Sequence, residues 1–405
     1  MQWMPEIPKT MDSSDSKIYI DAHWRSLNKE NEELCGDRVQ IRRSDKCLVL
    51  VLADGLGSGV KANILSTLTS TIISEMIFAG DSLEDAVETI ASTLPVCQER
   101  GIAYSTFTII QVYYTGEAYI AEFDNPSVII MRDQQVLKLQ KETKQVNGKK
   151  ISITRFDVQP QDFIVTFSDG VLHAGVGMEL NFGWGQDEVE EFLVEHVKPA
   201  DPAREVTRLL LANVNYLYGG KPGDDSTVAC LKIVKALETR VMVGPPSKAE
   251  DDEKVVGRLL SATGKKVCCG GTTSEIVARV TNRELTTDCS ELLADVPPKG
   301  FIDGIDLVTE GVLTLQKVSR YLDKAARDSA YAESLMLSKE EDGATSLARV
   351  LLESDAITFM VGLSDNPAHD AIAYSPISLN AKIALINEMA ANLKTIGKII
   401  HIEMY

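Results

Sequence analysis

Through the first half of the chain, apolar and β-branched residues come in short alternating or continuous runs divided by turn residues, the pattern of strands in a sheet. KIYIDAHW reads as one strand, and residues 38–43 and 47–53 read as a hairpin about the turn at 44–46. Helical spacing follows over 61–78 and over 83–94, the second helix capped by Asp81 or Ser82. STFTIIQVYY, EAYIAEF, SVIIMR and QVLKLQ then predict an antiparallel meander, and 163–168 a further strand. Asp201-Pro202 opens a helix reaching Tyr218, since proline is tolerated at the first helical position, and Gly219-Gly220 closes it before the strand STVACLKIV.

Near residue 236 the rhythm changes to strand, loop, long helix, repeated. Strands are expected at 239–243, 266–269, 305–308, 357–361 and 398–402 with helices between, the alternation of a parallel, doubly wound α/β domain. Two domains, 1–236 and 237–405, suit a chain longer than one hydrophobic core usually organises.

A formal net charge of −18 would repel nucleic acid and anionic membrane surfaces, so neither is an expected partner. No uninterrupted apolar stretch approaches the roughly 18 residues of a membrane span. The start MQWMPEIPKTMDSSDSK lacks the order of a signal peptide, and a cytoplasmic location is expected. Seven cysteines without a CxxC pair read as reduced thiols, with Cys268 and Cys269 as buried strand residues. With five histidines and no HExxH pattern, any metal chemistry is expected to rest on carboxylates.

Four aspartates carry that chemistry. Asp37 and Asp54 bracket the hairpin, so antiparallel pairing returns both carboxylates to one end. Asp169 directly follows the strand FIVTFS and Asp224 precedes STVACLKIV, which places them at a strand end as well. Four such charges repel one another unless divalent cations offset them, and hard oxygen ligands suit magnesium or manganese. In ADGLGSGVKA, Gly55, Gly57 and Gly59 permit a tight turn whose backbone can approach a metal or phosphate at the start of a helix. That helix grows directly out of the turn, with Leu65 and Leu68 as candidate packing positions.

ADGLGSGVKA, FSDGV and GDDSTV, in this order and preceded by CGD at 35–37, resemble the bacterial SpoIIE-type branch of the type 2C metal-dependent protein phosphatases over about residues 15–236. The resemblance implies an α+β fold, an antiparallel β-sandwich flanked by helices. It implies two Mn2+ or Mg2+ ions, with Asp54 bridging them, the Gly55 carbonyl contributing through a water, Asp169 and Asp224 completing one shell and Asp37 binding the other ion. Asp225, second in GDDSTV, is expected to orient the loop. Two divalent ions about 3.5–4 Å apart lower the pKa of a water positioned in line with a phosphomonoester, and no covalent phosphoenzyme is needed. Animal members carry a histidine two residues after the bridging aspartate; here that position is Leu56, so an evident general acid is missing. Arg38 is the candidate counterpart of the family's phosphate-gripping arginine.

In the second domain KKVCC runs into GGTTSEIVARV, a glycine-rich turn entering a helix whose backbone N–H groups at Gly270, Gly271, Thr272, Thr273 and Ser274 could cradle an anion. These few residues are similar to the Gly-Thr-Thr phosphate loops of sugar-phosphate-binding regulatory domains. The plainer reading is a strand-to-helix turn with Thr272 or Thr273 as N-cap. Thr309-Glu310-Gly311 and Ser364-Asp365-Asn366 are expected on the same carboxyl edge of the sheet. The function expected is metal-dependent hydrolysis of phosphoserine and phosphothreonine on a partner protein, regulated by the C-terminal domain. The alternatives are a non-catalytic ligand- or partner-binding regulatory protein and a small-molecule phosphomonoesterase.

Overall fold

In one interior strand of the N-terminal unit Val49 and Val51 alternate with Leu48, Leu50 and Leu52, and all five are fully buried, so this sheet is covered on both faces. The computed structural model describes residues 18–93, 105–146, 149–177, 180–287, 299–340, 342–364 and 379–405, which form two compact units dividing between Lys235 and Ala236.

The N-terminal unit runs β1 (Ile18–Leu27), β2 (Asp37–Arg43), β3 (Cys47–Gly55), α1 (Gly59–Ala79), α2 (Leu83–Thr93), β4 (Ser105–Tyr113), β5 (Glu117–Phe123), β6 (Ile129–Arg132), β7 (Gln135–Val136), β8 (Glu142–Val146), β9 (Lys149–Asp157), β10 (Phe163–Phe167), α3 (Asp169–Leu172), α4 (Gln186–His196), α5 (Ala203–Leu217) and β11 (Ser226–Lys235). Two antiparallel sheets result, ordered β2-β3-β4-β5-β9-β8 and β1-β11-β10-β6-β7. Val49, Val51, Phe107 and Ile109 pack with Leu65, Ile73 and Ile77 of α1 and with α2, while Phe163, Val165, Val228 and Cys230 pack with α4 and α5. The intervening positions Leu50, Ile110, Ile164, Leu231 and Ile233 are equally buried. Ile120 and Thr154 of the first sheet line one cavity with Ile130 and Val136 of the second, so the sheets stack between the helices as a β-sandwich.

The expected meander stops short: QVLKLQ contributes only the two residues of β7, and the β8–β9 hairpin, which the hydrophobic pattern does not reveal, completes the first sheet. The expected helix at 61–78 starts two residues earlier, at Gly59, and ends in a left-handed Gly80 whose N–H caps the last turn. Leu65 of α1 is buried but Leu68 is 45% exposed, so Leu68 is not a packing position. Instead Ser66, Thr69, Ser70 and Ser74 face the sheet, and the three serine hydroxyls are satisfied by carbonyls one turn back in the helix. By length and composition α1 could cross a membrane, yet it packs along β2 and β3. Leu94, the expected end of α2, lies outside the described residues.

The C-terminal unit runs β12 (Glu238–Val243), α6 (Asp252–Leu260), β13 (Lys265–Cys269), α7 (Gly271–Thr281), β14 (Thr286–Thr287), β15 (Gly300–Phe301), β16 (Leu307–Thr309), α8 (Val312–Arg327), α9 (Ser329–Met336), α10 (Gly343–Glu353), β17 (Ala356–Val361), α11 (Leu379–Thr395) and β18 (Ile399–Met404). Its sheet is ordered β14-β15-β16-β13-β12-β17-β18, parallel from β16 to β18. Val241, Val267 and Phe359 pack with α8, α10 and α11, while Met242, Cys268 and Met360 pack with α6 and α7. The two-residue strands β14 and β15 add an antiparallel edge that the expected all-parallel sheet lacks. Cys268 and Cys269 are buried free thiols.

Candidate active site

Antiparallel pairing sets the first two carboxylates: Asp37 opens β2 directly opposite Asp54 near the end of β3. Gly55 N–H donates to the Gly36 carbonyl at 3.1 Å, and the Ser105 hydroxyl donates to the Asp54 carbonyl at 2.8 Å. The chain then turns into α1 through Gly57 and Gly59, both at positive φ. Gly55 sits so close to α1 that a Cβ there would lie 2.1 Å from the Ala62 carbonyl oxygen.

The second sheet supplies the other two. Asp169 is the first residue of α3, immediately after β10, and Asp224 lies just before β11, the neighbouring strand. Ser168, fully buried between them, donates to Asp37 Oδ2 at 2.6 Å and accepts the Thr227 N–H at 2.9 Å, which ties the two sheets together at the site. Gly170 is needed for contact between the two loops, since a Cβ there would lie 2.0 Å from the Asp225 carbonyl.

Asp37, Asp54, Asp169 and Asp224 thus line one cavity of about 360 Å³, together with Lys29, Gly55, Leu56, Gly57, Ser58, Ser105, Thr106 and Asp225. Asp225 is buried; its Oδ1 accepts the Lys29 N–H at 3.0 Å and its Oδ2 the Gly36 N–H at 2.8 Å, so it holds the loop that leads into Asp37. Burial first, and neighbouring aspartate charges besides, raise the Asp37 and Asp54 carboxyls above the usual carboxylate range; Ser168 and Thr227 oppose the rise at Asp37. Asp224 is raised by burial while Lys29 opposes the rise. An oxygen-only cluster whose members resist ionising together is the donor set a hard divalent cation satisfies.

A pH dependence follows. Carboxyls raised in the folded state hold more protons there than in the unfolded chain, so the metal-free protein loses stability as pH rises from the ordinary carboxylate range through the raised values. A divalent cation held by these carboxylates would compete with those protons, so the increment in melting temperature with manganese should be larger at about pH 8 than at about pH 5.5. Thermal scans with and without manganese at both values check this; an equal increment contradicts it.

Three residues of consequence escape the sequence pattern. Lys29, in a polar loop after β1, reaches the cavity with its Nζ 3.7 Å from Asp224 Oδ1. Arg38, by contrast, is not among the residues lining the cavity. His173, one turn after Asp169, places Nδ1 4.0 Å from Asp169 Oδ2. Ser168 stands inside FSDGV but ahead of the aspartate that draws the eye.

In the C-terminal unit Gly270 (φ 111°), not Thr272 or Thr273, is the N-cap of α7. Its N–H donates to the Thr309 carbonyl at 2.9 Å, which brings the β13–α7 turn beside the end of β16. Thr273 and Ser274 are buried, the Ser274 hydroxyl donating to the Gly270 carbonyl at 2.9 Å. Asp365 and Asn366 lie outside the described residues.

Residues 44–234 match the family model described as stage II sporulation protein E (SpoIIE), so the resemblance read from the motifs holds over that span. Phosphoserine phosphatase RsbX of Bacillus subtilis (strain 168) is 37% identical over 62 residues, 15% of this chain and 30% of the relative. The chain therefore spans less than a third of the length of that curated relative. The solved phosphatase domain of SpoIIE from Bacillus subtilis, with a fragment of its regulatory domain, shares 19% identity at a TM-score of 0.47, over 54% of this chain and 64% of that one. RsbX in complex with magnesium shares 17% identity at a TM-score of 0.39, over 53% of this chain and 95% of that one.

Proposed function

We propose that the N-terminal unit is a protein serine/threonine phosphatase that hydrolyses phosphoserine and phosphothreonine monoesters on a partner protein in the cytoplasm. The observation that carries this reading is the convergence of Asp37, Asp54, Asp169 and Asp224 on one open cavity. Asp54 would bridge two Mn2+ or Mg2+ ions, Asp37 would hold one of them, Asp169 and Asp224 the other, and the Gly55 carbonyl would contribute through a water. When bound, such ions would supply charge neutralisation and a more acidic water for attack on a phosphomonoester.

The chain's own groups position these parts. Ser168 holds one Asp37 oxygen, and Asp225 fixes the backbone on which Lys29 and Asp37 stand. Lys29 brings the cavity a positive charge within reach of a phosphoryl oxygen, the part assigned to Arg38 from the sequence. Leu56 lines the cavity but cannot donate a proton.

The C-terminal unit is read as a doubly wound α/β domain that senses a small anionic metabolite at Gly270–Ser274 and regulates the phosphatase. Support comes from helices packed on both faces of its sheet and from the glycine N-terminus of α7 at the carboxyl edge of β13. Coupling requires the ligand to bind active and inactive arrangements with different affinity.

One assay tests both halves: phosphate release from phosphoserine peptides and from sugar phosphates, with manganese or magnesium. Peptide turnover should exceed turnover of the small esters, and Lys29→Met should raise the peptide KM about 10-fold or more, the worth of a charge-assisted hydrogen bond. Preference for sugar phosphates would instead make this a small-molecule phosphomonoesterase. Added sugar phosphate should alter peptide turnover in the native chain but not in Gly271→Val, whose side chain enters open space. An unchanged rate in both contradicts sensing.

A further inference from the structure

The sequence motifs offer the site only oxygen ligands, and the fold brings an imidazole beside two of them. α3 is a single turn, so His173 lies four residues after Asp169 on the same face, and its N–H donates to the Asp169 carbonyl at 3.0 Å. The backbone on either side is held: Val176 N–H donates to the His173 carbonyl at 3.2 Å, and Trp184 N–H to the Leu172 carbonyl at 2.8 Å. Gly183 packs so close to this turn that a Cβ there would lie 2.3 Å from the Leu172 carbonyl. Asp224 approaches from the loop before β11, and one ligand atom each from Asp169, His173 and Asp224 lie within 4.8 Å of one another. Adjacent donors about 2.1 Å from one ion stand about 3 Å apart, so rotation of these side chains by about an ångström or more brings the three onto one ion.

We propose that His173 joins Asp169 and Asp224 as a protein ligand of one divalent cation, placing an imidazole nitrogen in an otherwise all-oxygen centre. The proposal rests on the metal reading above and adds a ligand to it. An ion pair between His173 and Asp169 would leave Asp224 with Lys29 as its cationic partner, whereas one divalent cation can be shared by an imidazole nitrogen, Asp169 and Asp224. Imidazole binds manganese and later transition ions better than magnesium, so the histidine biases the centre toward the transition ion. It also sets this site apart from a purely carboxylate one, in which magnesium and manganese differ less.

The test is electron spin-echo envelope modulation on the full-length protein loaded with one and with two equivalents of Mn2+, which detects nitrogen bound directly to the ion. Nitrogen modulation is expected in the native protein and should vanish in His173→Ala and in His173→Gln. In the same variants manganese affinity, followed by thermal shift, should fall about 10-fold, with a smaller loss for magnesium. Bound manganese without nitrogen modulation, or modulation that survives both substitutions, overturns the assignment while leaving the aspartate centre intact. Failure of the native protein to bind manganese at all removes the metal reading itself, and His173 with it.

Discussion

Asp54→Asn should cut phosphatase activity more than about 100-fold and abolish stabilisation by manganese, while the metal-free variant melts at or above the temperature of the native protein. Asparagine keeps the shape of the side chain but cannot share two cations between its oxygens. Even outer partners of metal ligands are worth roughly 10- to 100-fold, so a bridging ligand is expected to exceed that range. The stability change has the opposite sign because Asp54 is pushed toward its neutral form by burial and by Asp37, Asp169 and Asp224. A neutral amide relieves that penalty in the absence of metal. Activity assays with paired melting curves, with and without manganese, check the crossing; a variant that keeps its activity and its manganese response removes Asp54 from the bridging position.

Gly55→Ala should strongly destabilise the N-terminal unit. The added Cβ would stand 2.1 Å from the Ala62 carbonyl oxygen, 2.7 Å from its carbon and 2.9 Å from the Ala62 Cα. These are backbone atoms of α1, so the strand end and the helix must separate. Overpacking of this kind costs about 1–3 kcal/mol, and a clash with backbone on both sides belongs at the upper end. The same displacement moves Asp54, so manganese affinity should fall along with stability. Gly257→Ala in α6 is the control, because nothing lies within 4 Å of its Cβ and alanine favours a helix. Denaturant titration of both proteins decides the matter; a Gly55→Ala protein as stable as the native one would show that the turn has slack which the geometry denies.

The aspartates are legible because their positions follow from strand arithmetic. Six residues of strand, a three-residue turn and seven of strand bring Asp37 back opposite Asp54, and the glycines beside Asp54 and Asp169 mark where each strand gives way to a helix. Lys29 and His173 are not legible in this way. A lysine among Asn, Glu and Asn reads as a solvated charge, and long-range bonds from Asp225 and Pro222 to the backbone of its loop bring it to the cavity. A lone histidine after FSDGV acquires meaning only once the loop bearing Asp224 folds beside it.

Elements with little apolar pattern are missed for a similar reason. β8 exposes four of its five residues, and α4 buries only Val189 and Leu193, so neither shows a clear period. In α1 the period is present but misleading: serines and a threonine face the sheet while Val60, Ile64 and Leu68 are exposed. Small side chains let the helix approach β2 and β3 closely, and close packing there outweighs hydropathy as the guide to which face is inside.

The most direct test of the two-metal centre is a crystal structure of the manganese-soaked protein with anomalous scattering recorded at the manganese edge. Two peaks about 3.5–4 Å apart are expected in the cavity. Asp54 should lie between them, Asp37 on one ion, and Asp169 and Asp224 on the other. A cavity without ions at saturating manganese, or ions bound away from these four carboxylates, would contradict it.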